Sequence, residues 1–131
     1  MPLDNINEVI RGSLAYERTR AEVAGYNLAI ANVAIRPGEA SPLLRVTPPT
    51  PFSEQIGLGA PAVQAQAGND TRVEQDPDHP LADRDGMVHY PRLEPAIEMA
   101  TLVSATRAYE ANIRAYNTLR AMNLKAFEIG K

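Results

Sequence analysis

The sequence has 131 residues, a formal net charge of −3, no cysteine and no tryptophan. The lack of cysteine excludes disulfides, thiol catalysis and thiolate metal sites, and the acidic balance gives no sign of nucleic-acid binding. No apolar run approaches the ~20 residues that a membrane span needs. Aromatic residues make up only 5% of the chain, which favours close-packed helix contacts over a thick core.

Both ends of the chain carry apolar residues at helical spacing, and nine of the eleven prolines lie between residues 37 and 91. The pattern predicts a mainly α fold, in which long N- and C-terminal helices pair as a coiled coil. A proline-rich segment, extended or with small β pieces, separates them. Because a lone helix pair has little to bury against, we interpret the chain as an extended subunit whose core neighbouring subunits complete.

The first 36 residues are predicted to form the N-terminal helix of this coiled-coil domain. Apolar side chains recur at intervals of three and four residues from Leu3 to Ile35, and Pro37 ends the pattern. Gly12 and Gly25 either are tolerated within the helix or mark the close approach of a neighbouring backbone. The predicted assembly contacts of this helix are Leu14, Ala21, Ala24, Leu28 and Ala31.

Residues 37–94 lack helical periodicity, and their prolines forbid long helices and central strands. We expect this region to wrap over other subunits and to take its order from them, because long structureless segments are uncommon inside compact domains. The composition favours short extended pieces at Leu43–Thr47, Val63–Gln66, Thr71–Glu74 and Met87–Tyr90.

Residues 95–131 are predicted to form the C-terminal helix, which starts at Pro95 and stops at Gly130. It carries two apolar stripes, and because one partner helix covers only one stripe, the second predicts a partner on another side. The first stripe comprises Met99, Leu102, Tyr109, Ile113 and Tyr116. The second comprises Ala105, Ala108, Ala115, Leu119, Met122, Ala126 and Ile129. The predicted assembly contacts are Leu102, Tyr109, Ile113, Leu119, Met122 and Ile129.

The acidic stretch of residues 76–86 could be mistaken for a metal or catalytic site. Its acids fit no calcium loop, and the two histidines of the chain, His79 and His89, do not have zinc spacing. The sequence shows no nucleophile, phosphate-binding or dinucleotide signature, so no catalytic residue, cofactor or metal is predicted. We instead predict a rigid strap between subunits, formed by Asp76, Pro77, Asp78, His79, Pro80 and Asp83.

Charge is segregated along the second half of the chain. Residues 70–94 carry seven acids against three arginines, whereas residues 107–131 carry five bases against two acids. These stretches are either ordinary solvated faces or complementary surfaces, with the acidic segment of one copy meeting the basic helix of another.

The acidic stretch reads Asp76-Pro77-Asp78-His79-Pro80-Leu81-Ala82-Asp83 and is followed by Gly86, Val88 and Pro91. The C-terminal helix contains Arg107-Ala108-Tyr109-Glu110-Ala111-Asn112 and ends in Glu128-Ile129-Gly130-Lys131. Both segments resemble the FlgC family of flagellar basal-body rod proteins. Asn27-Leu28-Ala29 and Ala31-Asn32 are similar to the N-terminal signature that rod, hook and filament-axis proteins share, although Ile30 stands where that signature usually has Asn.

The resemblance implies a non-catalytic structural subunit of the proximal rod, the drive shaft that crosses the periplasm and transmits torque to the hook and filament. The implied partners are further copies of the chain, other proximal and distal rod subunits, and export-gate and rod adaptor proteins. It also implies passage through the type III export apparatus without a cleaved signal peptide. No nucleic acid or small-molecule substrate is expected.

Three other interpretations remain at this point. The chain could be another member of the axial family, or a soluble helical adaptor or export chaperone that binds partner helices through the same amphipathic faces. The third alternative is an enzyme built around His79 and the neighbouring aspartates.

Overall fold

A computed structural model of the chain describes residues 2–48, 61–68 and 70–129, with side chains from Ile6 onward. Its elements follow in the order helix α1 (Pro2–Ile30), strands β1 (Leu44–Thr47), β2 (Ala62–Ala65), β3 (Thr71–Gln75) and β4 (Met87–Pro91), and helix α2 (Pro95–Ile129). Strands β1 and β2 pair as one antiparallel sheet, and β3 and β4 pair as a second.

The predicted fold class, mainly α with a proline-rich extended or small β segment, is wrong. The described middle of the chain is a β-rich segment of two separate antiparallel sheets. In one sheet Leu44 lies opposite Ala65, and in the other Thr71 lies opposite Pro91. Backbone hydrogen bonds between these strands order the described part of this region within the chain, and its contacts with other subunits stay a prediction. The prolines between residues 49 and 60 lie outside the described residues.

The two helices lie against each other in antiparallel directions. The Asn112 side-chain amide of α2 donates a hydrogen bond of 2.7 Å to the Ser13 hydroxyl of α1. Further along α1, Ala21 lines the same interhelical groove as Thr106, which precedes Asn112 in α2. Residue numbers thus rise along one helix as they fall along the other.

Helix α1 ends at Ile30, so the prediction of an N-terminal helix over residues 1–36 is wrong at its C-terminal end. The Ile35 amide donates a 2.7 Å hydrogen bond to the carbonyl oxygen of His89, and Ile35 is only 6% exposed. The apolar spacing from α1 continues through Ile35, but pairing with β4 satisfies its backbone and buries its side chain. This tertiary contact overrides the local helical pattern.

The core is small and is distributed over both helices and the sheets. Such a core fits a chain with few aromatic residues, because aromatic side chains supply much of the buried area of ordinary domains. In the part of the chain that the structure describes, neither helix is apolar enough over a sufficient length to cross a membrane. The buried apolar residues are Val23, Ala24, Ile35, Leu43, Val88 and Ala105.

Candidate assembly interface

The most deeply buried positions of the seam between α1 and α2 carry small side chains on both helices. Ala24 follows Ser13 by about three helical turns, and Ala105 precedes Asn112 by about two turns, so both lie on the faces that meet. Ala24 is 1% exposed and Ala105 is fully buried. Alanine at these two positions allows the two backbones to approach closely there.

The Ser13–Asn112 hydrogen bond places a polar pair among these apolar contacts. Both side chains are half-buried, and each satisfies the other across the seam. A polar residue at a seam position specifies helix register, since a shifted pairing would leave its amide without a partner. Asn112 lies at helical spacing within the second apolar stripe of α2, but the sequence gives no sign that Ser13 is its partner.

The seam of α2 runs between the two apolar stripes predicted from the sequence. The seam includes Leu102, Tyr109 and Tyr116 of the first stripe and Ala105 and Leu119 of the second. Ala105 is buried, and the other four side chains are half-buried. The outer edges of both stripes therefore remain exposed.

Large apolar side chains on these outer edges are accessible in the single chain. Met99 is 59% exposed and Ile113 is 38% exposed on the first stripe, whereas Met122 is 60% exposed and Ile129 is 87% exposed on the second. Phe127, on neither predicted stripe, is 75% exposed. Exposed apolar surface of this kind marks interaction sites in soluble proteins.

The predicted assembly residues thus fall into two groups. One group lies in or beside the helix pair, partly or fully covered within the chain, and the other is exposed on α2; contacts of either group with neighbouring subunits stay predictions. The covered group is Leu14, Ala21, Ala24, Leu28, Ala31, Leu102, Tyr109 and Leu119. The exposed group is Ile113, Met122 and Ile129.

Gly12 and Gly25 mark no close contact within the chain. A Cβ atom added at either position would meet no atom within 4 Å among the described residues. Neither glycine is therefore required by the packing of α2 against α1.

The buried side chain of Asn27 attaches α1 to the first sheet. Asn27 is 2% exposed. Its amide donates to the carbonyl oxygen of Leu44 at 2.9 Å and accepts from the Leu44 amide at 3.0 Å. The side chain thus acts as a backbone-like partner for the first residue of β1.

The predicted strap, residues 76–86, is the turn that joins β3 to β4. The Asp76 amide donates to the Gly86 carbonyl at 3.0 Å, and the Gly86 amide donates to the Asp83 carbonyl at 3.1 Å. Gly86 has a φ of 74°, and a Cβ there would lie 3.1 Å from Pro77 Cγ. Hydrogen bonds within the turn thus close it, and its predicted role as a strap between subunits stays a prediction.

Asp83 organises this turn through both carboxylate oxygens. Oδ1 accepts hydrogen bonds from the backbone amides of Asp85 at 2.9 Å and Met87 at 3.0 Å. Oδ2 lies 3.1 Å from His89 Nε2. The Met87 amide first, and the His89 ring second, hold the pKa of Asp83 below its ordinary value, because both contacts favour the ionised carboxylate.

The two histidines have different environments, which the sequence could not distinguish. His79 Nδ1 accepts a hydrogen bond from the Leu81 amide at 3.0 Å, so this ring closes a local turn. His89 lies between Asp83 and Thr71, whose hydroxyl is 3.3 Å from His89 Nδ1. Residues 2–48, 61–68 and 70–129 contain no group of three or more potential metal ligands arranged to hold an ion.

Several charges of the second sheet are already paired within the chain. Arg72 lies 2.6 Å from Glu74 and stacks over the Tyr90 ring at 5.0 Å. Arg92 lies 3.3 Å from Asp70. These contacts involve exposed groups and contribute little stability, but they pair two acids of the hairpin with bases of the same chain.

Sequence comparison places the chain in a family. It is 32% identical to the flagellar basal-body rod protein FlgC of Salmonella typhimurium, in an alignment that covers all of both chains. The chain belongs to the FlgC family.

Other members of the family are also similar to the chain. The FlgC protein of Yersinia enterocolitica is 29% identical over the full length of both chains. That of Bacillus subtilis is 46% identical over 63 residues, which cover 48% of this chain and 42% of the relative. No model of a known protein family matches the chain. The resemblance to the FlgC family, inferred from the acidic stretch of residues 76–86 and the C-terminal helix, is confirmed.

Proposed function

We propose that the chain is a structural subunit of the rod in the bacterial flagellar basal body. The observation that carries this proposal is the full-length similarity to basal-body rod proteins of the FlgC family. The exposed apolar surface of α2 is consistent with it, since a subunit of a polymer presents surface that its neighbours cover.

The finer proposal places the chain in the proximal rod, where the rod crosses the periplasm as a drive shaft that transmits torque to the hook and filament. Its partners there are further copies of itself and other proximal and distal rod subunits. Assembly involves export-gate and rod adaptor proteins, and the chain reaches its site through the type III export apparatus. In this role the chain is not an enzyme.

The contacts in such a rod are heterologous, since a helical tube grows through head-to-tail interfaces that do not close on themselves. The exposed edges of the two α2 stripes lie on different sides of the seam with α1. They are therefore suited to contact two different neighbours. Phe127 and Ile129 near the end of α2 are the large apolar residues with the greatest exposure among those described.

A complementation experiment with a point variant tests this proposal. In a strain that lacks the natural gene, the wild-type chain should restore motility and should be recovered in purified basal bodies. Phe127→Ser should lower that recovery several-fold while leaving the helical circular dichroism of the free chain unchanged, because Phe127 is 75% exposed. Asn117→Ser, another exposed α2 position, is the matched control.

Two results would contradict the proposal. One is absence of the wild-type chain from basal bodies of a motile complemented strain. The other is a stable, fully helical small oligomer of the purified chain that binds partner helices in solution, which would favour the adaptor or chaperone alternative.

A further inference from the structure

The side of α2 that faces away from α1 carries a strip of basic residues, Arg107, Arg114 and Lys125. They are separated by seven and eleven residues, which is about two and three helical turns, so they share one face. Arg107 and Arg114 each follow a seam residue by two positions, or about 200° around the helix. This basic strip therefore lies opposite the face that packs on α1.

Glu110 and Glu128 lie within about one helical turn of the strip, so its three bases stand against two acids of the same helix. All three bases are exposed. In the part of the chain that the structure describes, none of them forms an ion pair. A helix face with an excess of basic residues attracts an acidic surface and disfavours a purely apolar one.

The turn between β3 and β4 presents an acidic surface, whose charge is opposite to that of the strip. Asp70, Glu74 and Asp83 are engaged by Arg92, Arg72 and His89. The acids that remain are Asp76, Asp78 and Asp85, all exposed, with Arg84 as the basic residue among them. We call these three acids the hairpin tip.

The hairpin tip of a chain cannot cover the basic strip of the same chain. Lys125 lies thirty residues after Pro95 in α2, a distance of about 45 Å along the helix. Strand β4, which leads from the tip to this helix, has five residues and spans about 17 Å. An acidic hairpin that meets Lys125 must therefore come from another molecule.

We propose that the basic strip of α2 docks the hairpin tip of a second copy of this chain in the assembled rod. This inference rests on the proposed function, because it needs copies of the chain side by side. The second copy is the chosen occupant because the chain itself carries the complementary surface, with the nearby acids Asp70, Glu74 and Asp83 already paired. The contact is electrostatic and heterologous, and it leaves the apolar edges of α2 free for other neighbours.

Charge reversal tests the contact without depending on which acid meets which base. A strip-reversed chain carries Arg107→Glu, Arg114→Glu and Lys125→Glu. A tip-reversed chain carries Asp76→Lys, Asp78→Lys and Asp85→Lys. Each set alone should lower recovery of the chain in basal bodies by about tenfold or more, since like charges then face each other across the interface. The chain with both sets should recover most of the wild-type level.

The matched control reverses exposed bases away from α2, Arg11→Glu with Arg45→Glu, and should assemble as the wild type does. Circular dichroism of each purified chain verifies that reversal leaves the helices intact. If the strip-reversed chain or the tip-reversed chain assembles normally, the inference is overturned, whereas the proposed rod function is unaffected. The inference is also overturned if the chain with both sets of substitutions folds but is not recovered in basal bodies, since the strip and the tip then have other partners. Absence of the wild-type chain from basal bodies overturns the proposed function as well.

Discussion

Asn27 and Leu44 exchange two hydrogen bonds, at 2.9 and 3.0 Å, between a buried helix side chain and a strand backbone. The pair fixes where the chain goes after α1, because it joins the last turns of the helix to the first residue of β1. Asn27 belongs to the segment similar to the N-terminal signature of axial flagellar proteins. The structure gives that asparagine a physical role, namely to position the first sheet against the helix pair.

Replacement of Asn27 should therefore destabilise the chain. Asn27→Asp keeps an acceptor for the Leu44 amide but removes the donor to the Leu44 carbonyl and buries a charge beside it. We expect the free energy of unfolding to fall by about 1–3 kcal/mol, the usual cost of an unsatisfied buried polar group. Thermal or urea unfolding followed by circular dichroism measures the change.

The matched control for Asn27 is Asn32→Ala. Asn32 is exposed and accepts a single 3.3 Å hydrogen bond from Arg72, so its loss should change the free energy of unfolding by no more than about 0.5 kcal/mol. Equal effects of the two replacements would show that Asn27 does not anchor the sheet.

Gly86→Ala should destabilise the turn between β3 and β4. Gly86 has a φ of 74°, and an added Cβ would lie 3.1 Å from Pro77 Cγ. We expect a loss of about 1–2 kcal/mol from the left-handed backbone alone, and more from the clash. Gly38→Ala is the control, because Gly38 has a φ of 85° with no atom within 4 Å of an added Cβ. If chemical unfolding gave the same loss for both variants, Pro77 would not restrict this position.

The turn should also lose order at acidic pH through Asp83. Its pKa is lowered by the Met87 amide and the His89 ring, so the folded state favours the ionised carboxylate. The stabilisation is therefore complete above the unfolded pKa and is lost as the pH falls through the lower folded pKa. Amide exchange at Met87, followed by NMR from pH 6 to pH 2, should show faster opening at the acidic end.

Asp83→Asn should remove most of this pH dependence, because the amide does not titrate. Asp78→Asn is the control, since Asp78 is an exposed carboxylate of the same turn, and it should leave the Met87 profile unchanged. An Asp83→Asn chain with the wild-type pH profile would assign the opening to another group.

Ala105→Leu should separate the two helices. Ala105 is fully buried in the seam, and a larger side chain there forces the backbones apart at a cost of about 1–3 kcal/mol. Ala111→Leu introduces the same side chain at an exposed position of α2 and should have little effect. The midpoints of thermal unfolding compare the two. A neutral Ala105→Leu would mean that the helix pair is loose enough to accept the extra volume.

Helical periodicity located the two terminal helices because it depends on neighbours three and four residues apart. It failed at Ile35, where a backbone hydrogen bond to His89 decides the structure and the two residues are far apart in sequence. The prediction for the middle of the chain was wrong for the same reason. Its short extended pieces were visible in the composition, but their antiparallel pairing depends on registers such as Thr71 with Pro91.

The two-stripe description of α2 was also incomplete. A stripe is defined only by which residues are apolar, whereas the seam depends on the position of α1. In the structure, α1 covers the region between the two stripes. The partners of Asn112 and Asp83 were invisible for a related reason. Ser13 and His89 reach them only after the helices pair and β4 takes its register, so spacing along the chain carries no signal of either contact.

The measurement that tests the central claim most directly is a density map of the intact basal body at a resolution that shows side chains. The account predicts that the chain lies in the rod and that neighbouring subunits cover Phe127 and Ile129, which are 75% and 87% exposed in the single chain. A map in which the chain is absent from the rod, or in which both side chains face solvent, would contradict it.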